Sequence, residues 1–301
     1  MRKLVLITLA ATLCVNAAPT PKKVLRLKPA TPWVVDYADD SCRLARTFGE
    51  GAEQATLFLD QFEPAAGFHV TLGGGHFSAR RDVIDVDLTL RFGPNEAVQE
   101  VSSVTGTLGK QPAMIVAGPQ RIAPLSKEET ESRDAIKKSG ARYDVPVIPR
   151  EREAAVRFLE ITGATIDVVL ETGPMDKPLG ILQECAWDTV GDWGLDVAQQ
   201  QNLRRGPVAK DGAQGWFVAD DYPSNMVKGN YQGTVNYRLI VDETGKPKSC
   251  HVQRSTRPKD FDITVCRVVM KRGKFQPALD AEGNPVASFW SQAITFRLEG
   301  R

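Results

Sequence analysis

The most constraining stretch of this 301-residue chain lies near its end. From Gly233 to Val241, Val235, Tyr237, Leu239 and Val241 alternate with Thr234, Asn236 and Arg238. A period of two is the signature of a strand with one buried face. Asp242-Glu243-Thr244-Gly245 is turn chemistry, and residues 248–254 read as the returning strand. Pro258 then opens a helix to about Arg272, with Asp260 and Asp262 early and Lys271 and Arg272 late, the arrangement a helix dipole favours. Gly273 stops it. A last strand over 285–298 puts Trp290, Ile294, Phe296 and Leu298 on one face. Such a β-β-α-β order predicts a small three-stranded antiparallel sheet with one helix packed across it.

Composition is that of an ordinary globular protein, with 42% hydrophobic and 25% charged residues. That excludes a disordered chain and a polytopic membrane protein. The net charge of +1 hides an asymmetry. Residues 222–301 carry thirteen Lys/Arg against seven Asp/Glu, whereas residues 18–221 carry twenty-three against thirty. Two parts of opposite charge imply two jobs. Scattered over turns and both helix ends, the basic excess fits a steering field for acidic partners better than a nucleic-acid surface.

Met1-Arg2-Lys3, an apolar run over 4–15 and Val15-Asn16-Ala17 have the form of a secretory signal peptide. Residues 1–17 are therefore read as the signal, with cleavage between Ala17 and Ala18 and export of the mature chain. The alternative is an uncleaved membrane anchor, although twelve apolar residues are short of the ~20 that span a bilayer. The mass of the mature N-terminus separates the two. Export makes disulfides the default for the four remaining cysteines, Cys42, Cys185, Cys250 and Cys266. Cys250 shares a strand face with Val252, and Cys266 shares a helix stripe with Ile263, Val269 and Met270. Facing each other across the helix–sheet interface, Cys250 and Cys266 are expected to pair, leaving Cys42 to Cys185.

Further upstream, the Pro- and Lys-rich residues 18–32 read as a flexible leader, and 33–201 as a mainly-β domain ending in a helix. Its strand signals are the alternation in 42–46, 68–72 and 83–92, with glycine clusters at 49–51 and 73–75 as turns. The charged tract 119–150 reads as a long loop with a surface helix near 127–139. A hairpin is expected from 155–161 and 165–170 about Thr162-Gly163-Ala164, and a helix over 176–190. Residues 202–221, rich in Gly, Arg and Pro, read as a linker before a domain at 222–301. The fold class is α+β.

No enzyme is expected. His69 and His251 fall in strands, His76 follows a glycine turn flanked by strands, and Asp85 and Asp87 lie on one strand with no nucleophile nearby. G-x-S-x-G, H-E-x-x-H and metal-spaced Cys/His clusters are missing. Neither a metal nor a small-molecule cofactor is expected.

Taken in order, Tyr222-Pro223, Gly229, Gly233-Thr234-Val235, Asp242, Gly245, Val252, Ser255, Phe275-Gln276-Pro277-Ala278, Gly283, Pro285-Val286 and Phe296 resemble the TonB C-terminal domain. The resemblance implies a periplasmic domain that contacts outer-membrane TonB-dependent receptors by adding a strand, in the service of nutrient uptake. It places partner contacts on the last strand at Phe289, Ser291, Ala293 and Thr295, the face opposite Trp290, and at Tyr222 and Pro223. Two features differ from a full TonB. The N-terminal segment has the form of a cleavable signal, and the long Pro-Glu/Pro-Lys spacer is absent. An exported receptor-binding protein is thus the first reading. An anchored energy transducer working with an inner-membrane proton-channel complex is the alternative. Trp33-Val34-Val35-Asp36-Tyr37 and Ser41-Cys42-Arg43-Leu44-Ala45 resemble exported invasion-associated locus B-like β-proteins, which implies β-architecture and no activity.

Overall fold

The computed structural model describes residues 24–38, 41–64, 67–78, 85–138, 145–210, 212–255 and 259–298. The expected signal cleavage at Ala17 and Ala18, and the helix-opening Pro258, lie outside them. The front strands are β1 (Val24–Leu27), β2 (Val34–Ala38), β3 (Ser41–Phe48), β4 (Ala55–Gln61), β5 (His69–Gly74), β6 (Asp85–Phe92), β7 (Gln99–Leu108) and β8 (Gln111–Val116). Helices α1 (Lys127–Lys138) and α2 (Arg150–Ala155) follow, then β9 (Leu159–Thr162), β10 (Asp167–Leu170), α3 (Asp176–Asp192) and α4 (Val197–Gln201).

These ten strands form one sheet in the order β1-β10-β9-β6-β7-β8-β5-β4-β3-β2. Every neighbouring pair is antiparallel except β1 with β10. Backbone bonds from Ala30 to Thr47 and from Gly49 to Lys28 join the chain after β1 to the end of β3, the strand next to last at the other end of this order. One core packs on the sheet, built from alternating residues such as Leu44, Leu57, Leu59, Leu72, Leu88 and Leu90. Within the expected flexible leader the structure corrects the reading. Val24–Leu27 is a strand, paired in parallel with Asp167–Leu170, and Leu27 is buried.

The surface helix α1 forms where the charge pattern predicts it. Ser126 and Glu129 cap it reciprocally, through Ser126 Oγ to the Glu129 N–H (3.1 Å) and Glu129 Oε2 to the Ser126 N–H (2.7 Å). The hairpin at 155–170 is shorter than expected, because Ala155 belongs to α2. Its turn needs Gly163, at φ +93°, where a Cβ would sit 2.5 Å from the Asp87 carbonyl oxygen. Helix α3 lies against the sheet, burying Leu179, Leu182, Cys185 and Ala186 in the front core. Cys42 in β3 is disulfide-bonded to Cys185 in α3, with Cα atoms 6.0 Å apart.

The second part of the chain contains β11 (Val208–Ala209), α5 (Ser224–Lys228), β12 (Gly233–Val241), β13 (Pro247–Ser255), α6 (Lys259–Arg272), β14 (Phe275–Gln276), β15 (Ala278–Leu279), β16 (Pro285–Val286) and β17 (Ser288–Phe296). The sheet order β13-β12-β17 is antiparallel throughout, and α6 packs on one face. The turn after β12 is set by Asp242, whose Oδ1 accepts from the Thr244 N–H, Thr244 Oγ1 and the Lys246 N–H. Gly245 sits at φ +82°, and a Cβ there would meet the Phe275 carbonyl oxygen at 2.1 Å. Only glycine allows that approach.

Three sequence expectations need correction here. Residues 285–298 are not one strand: Pro285–Val286 pairs with Ala278–Leu279, and β17 starts at Ser288. The buried stripe of α6 is Phe261, Thr264, Val265, Val268 and Val269, while Ile263 and Met270 are exposed. Cys266 sits at the flank of that stripe and still reaches Cys250, with Cα atoms 5.5 Å apart. Finally, the tract 202–221 is built into the second core. Trp216 is buried against Phe275 and Trp290 (ring centroids 5.2 and 5.7 Å), and Val208–Ala209 pairs with Phe275–Gln276. Arg272 fastens the same tract to α6 by donating to the Trp216 carbonyl (2.6 Å) and to the buried Asp221 carboxylate.

The two parts meet along α3 and the start of α4. Val190 and Leu195 form a small core with Ile240 of β12 and Phe289 of β17, flanked by Trp187 and Trp193. Gln200 adds bonds to the Ala287 carbonyl (2.9 Å) and to buried Ser288 (2.6 Å). On the other flank, Gln253 of β13 donates to the Phe62 carbonyl (2.9 Å). Nearby, Arg43 forks onto Asp60 (2.6 and 3.1 Å).

His69 lies at this flank with its ring edge-on to Phe62, centroids 5.0 Å apart, and its Nδ1 buried without a hydrogen-bond partner among the described residues. Burial first, and the charge of Arg254 second, lower its pKa to about 4. The folded protein therefore keeps this imidazole neutral at a pH where the unfolded chain, with an ordinary pKa of about 6.5, protonates it. Stability falls as pH drops from about 6.5 towards 4 and levels off below. A shift of this size corresponds to about 3 kcal/mol. Urea unfolding of His69→Gln at pH 7 and pH 4.5 is expected to show a clearly smaller acid loss than the wild type, and equal losses would contradict this account.

Candidate functional site

β12 is the centre of the second sheet, with β13 and β17 as its edges. Among the described residues β17 pairs with β12 alone, in continuous register from Gly233↔Phe296 to Val241↔Ser288. One side of β17 therefore carries backbone N–H and C=O groups with no strand beside them. Such an edge templates an incoming strand.

The structure divides the expected contact residues. Phe289 is 1% exposed and edge-on to Trp193 at 5.2 Å, so it is part of the contact between the two parts and not of a free surface. The reading failed because it assumed a sheet buried on one face only, whereas α3 and α4 cover the other face at its Ser288 end. Ser291 is half-buried opposite Arg238, whose guanidinium stacks over the Trp193 ring at 3.8 Å. The Ser291 hydroxyl oxygen is buried without a hydrogen-bond partner among the described residues. Ala293 and Thr295 are exposed as expected, with Thr295 Oγ1 bonded to Thr234 Oγ1 at 3.0 Å. Gln292 is exposed beside them, a residue the sequence reading did not single out. The accessible part of the edge is thus residues 292–295, towards the Phe296 end.

Tyr222 and Pro223 do not lie on that edge as surface contacts. Tyr222 is wedged between Phe261 (5.6 Å) and Phe296 (5.4 Å), and its hydroxyl donates to the Tyr231 carbonyl at 2.6 Å. Burial raises its pKa. Pro223 caps α5, its carbonyl accepting from the Met226 and Val227 N–H groups. Tyr222 braces the Phe296 end of β17.

Among the described residues no group of three His, Cys, Asp or Glu side chains is placed to hold a metal, and no helix is long and apolar enough to cross a membrane. A small sheet with one helix across it and an unpaired last strand is the arrangement that the motif order implies. Residues 218–298 match the family model of the Gram-negative bacterial TonB protein C-terminal. This match starts at Val218, inside the tract expected to be a linker, in keeping with the bonds from Asp221 and Trp216 to Arg272. The family is transport-associated, and its domains interact with outer-membrane TonB-dependent receptors. No solved structure matches the chain.

Proposed function

We propose that this is an exported periplasmic protein whose TonB-like part binds a short extended segment of an outer-membrane receptor along the free edge of β17. The single observation that carries the proposal is the unpaired side of β17 at residues 292–295, where Gln292, Ala293 and Thr295 are exposed, in the segment that matches the TonB family. Main-chain hydrogen bonds give affinity in strand addition, and pockets for alternate side chains give selectivity. Net positive charge on residues 222–301 speeds encounter with acidic segments, an effect that salt weakens. Phe289 and Ser291, covered from the front part, leave about half the strand for pairing, so a segment of four to six residues is the expected partner.

Proline tests the edge directly. In an antiparallel pair, the N–H groups of successive residues point alternately to the partner strand and away from it. One of Gln292 and Ala293 therefore presents its N–H outward. Gln292→Pro and Ala293→Pro are made singly. The variant that loses the outward N–H is expected to fold and to bind receptor peptide roughly tenfold more weakly, while the other loses stability. Wild-type binding by a folded pair of variants would refute pairing at β17.

A further inference from the structure

A cavity of about 550 Å³ lies in the front part, far along the chain from the TonB-like edge. Its volume is in the range of small-molecule sites. Arg26, Trp33, Arg46, Arg157, Phe158 and Glu171 are among the residues that line it. They come together because β1 pairs with β10 and because the chain after β1 bonds back to the end of β3.

Charge here is held but not neutralised. Arg46 donates through Nε to the Thr31 carbonyl and through Nη1 to the Thr172 carbonyl, both at 2.8 Å, and stacks over Trp33 at 5.4 Å. Arg157 Nη1 donates to the carbonyls of Ala154 and Val156. All of these acceptors are neutral, and neither guanidinium has a carboxylate partner among the described residues. Arg26 alone has one, Glu171 at 3.6 Å, in a loose and largely exposed pair. The balance of the lining is two positive charges. Carbonyl acceptors fix the direction of a guanidinium and leave its charge available, which is how a site is organised before an anion arrives. Trp33 adds an aromatic wall beneath the Arg46 guanidinium. Phe158 supplies a ring over which Arg26 lies at 5.7 Å, and Pro29 and Pro174 add apolar walls.

We infer that this cavity binds an organic carboxylate carried on a flat apolar group, with Arg46 and Arg157 facing the carboxylate and Trp33 and Phe158 packing on the apolar body. The same chemistry is offered by a free aromatic acid and by the C-terminus of a peptide ending in an aromatic residue. Benzoate and N-acetyl-phenylalanine serve as probes for the two sources, with benzamide and N-acetyl-phenylalanine amide as uncharged controls. Titration of the full exported chain by calorimetry is expected to show saturable binding of at least one acid, with its amide roughly tenfold weaker or worse. Preference for benzoate assigns the site to free acids, and preference for N-acetyl-phenylalanine assigns it to peptide ends. Arg46 also braces Thr31 and Thr172, so Arg157→Met and Trp33→Leu are the variants to use. Each is expected to fold and to weaken the preferred acid roughly threefold or more. Failure of both acids to saturate, equal binding of acid and amide, or unchanged affinity in both variants would overturn the assignment.

Discussion

Replacing Cys42 and Cys185 together by alanine is expected to cost the protein about 5 kcal/mol, the largest loss from any pair of substitutions considered. The bridge closes a loop of 143 residues. In the chain-entropy model the stabilisation grows with the logarithm of loop length and reaches about 5 kcal/mol for a loop of this size. The contact has a structural side as well. Both cysteines are fully buried, and the bond pins α3 against β3 across the core of the front part. The same helix goes on to meet Ile240 and Phe289, so a front part without the bridge also holds the TonB-like part less firmly. The check is urea unfolding of oxidised wild type beside the double variant. A difference under about 1 kcal/mol would mean that packing alone holds α3 in place.

Phe289→Ala is expected to cost about 3–5 kcal/mol, the usual range for truncating a buried phenylalanine. The loss should fall on the junction between the two parts more than on either core. Phe289 belongs to neither large core but to the small cluster with Val190, Leu195 and Ile240, edge-on to Trp193. Wild type should therefore unfold in one transition, and the variant in two that separate in urea. A variant that loses stability but keeps a single transition would show that the junction is not what couples the parts.

Much of the TonB-like part was legible because its signals are local. The alternation of Val235, Tyr237, Leu239 and Val241, the Asp242–Gly245 turn and the charge order along α6 each act within a few residues. The disulfide pairing followed from placing Cys250 and Cys266 on facing elements, even though the helix stripe was phased one flank too far. Helical spacing alone leaves that ambiguity, since Val265, Cys266, Val268, Val269 and Met270 offer more than one apolar arc. What escaped the sequence was long-range. Val24–Leu27 is only four residues long, too short for its Leu25-Arg26-Leu27 alternation to stand out, and its partner strand lies more than a hundred residues away. Trp216 sits among glycines and arginines that read as a linker, and only its burial against Phe275 and Trp290 shows its place. Alternation alone puts Phe289 on the outer face of a sheet covered on one side, and the cover that Val190, Leu195 and Trp193 provide comes from residues about a hundred positions away. The cavity between Trp33, Arg46 and Arg157 is assembled from segments far apart in the chain, so no spacing rule finds it.

The central claim is that the free side of β17 receives the receptor segment, and amide hydrogen exchange tests it most directly. The sheet has two edges, β13 and β17, and each exposes one side to a possible strand. Full-length protein is exchanged with and without an extended peptide from the periplasmic end of a TonB-dependent receptor. The account predicts slower exchange at alternate residues within 291–296, with β13 unchanged. New protection confined to 247–255, or none in either edge strand while the peptide is bound, would contradict it.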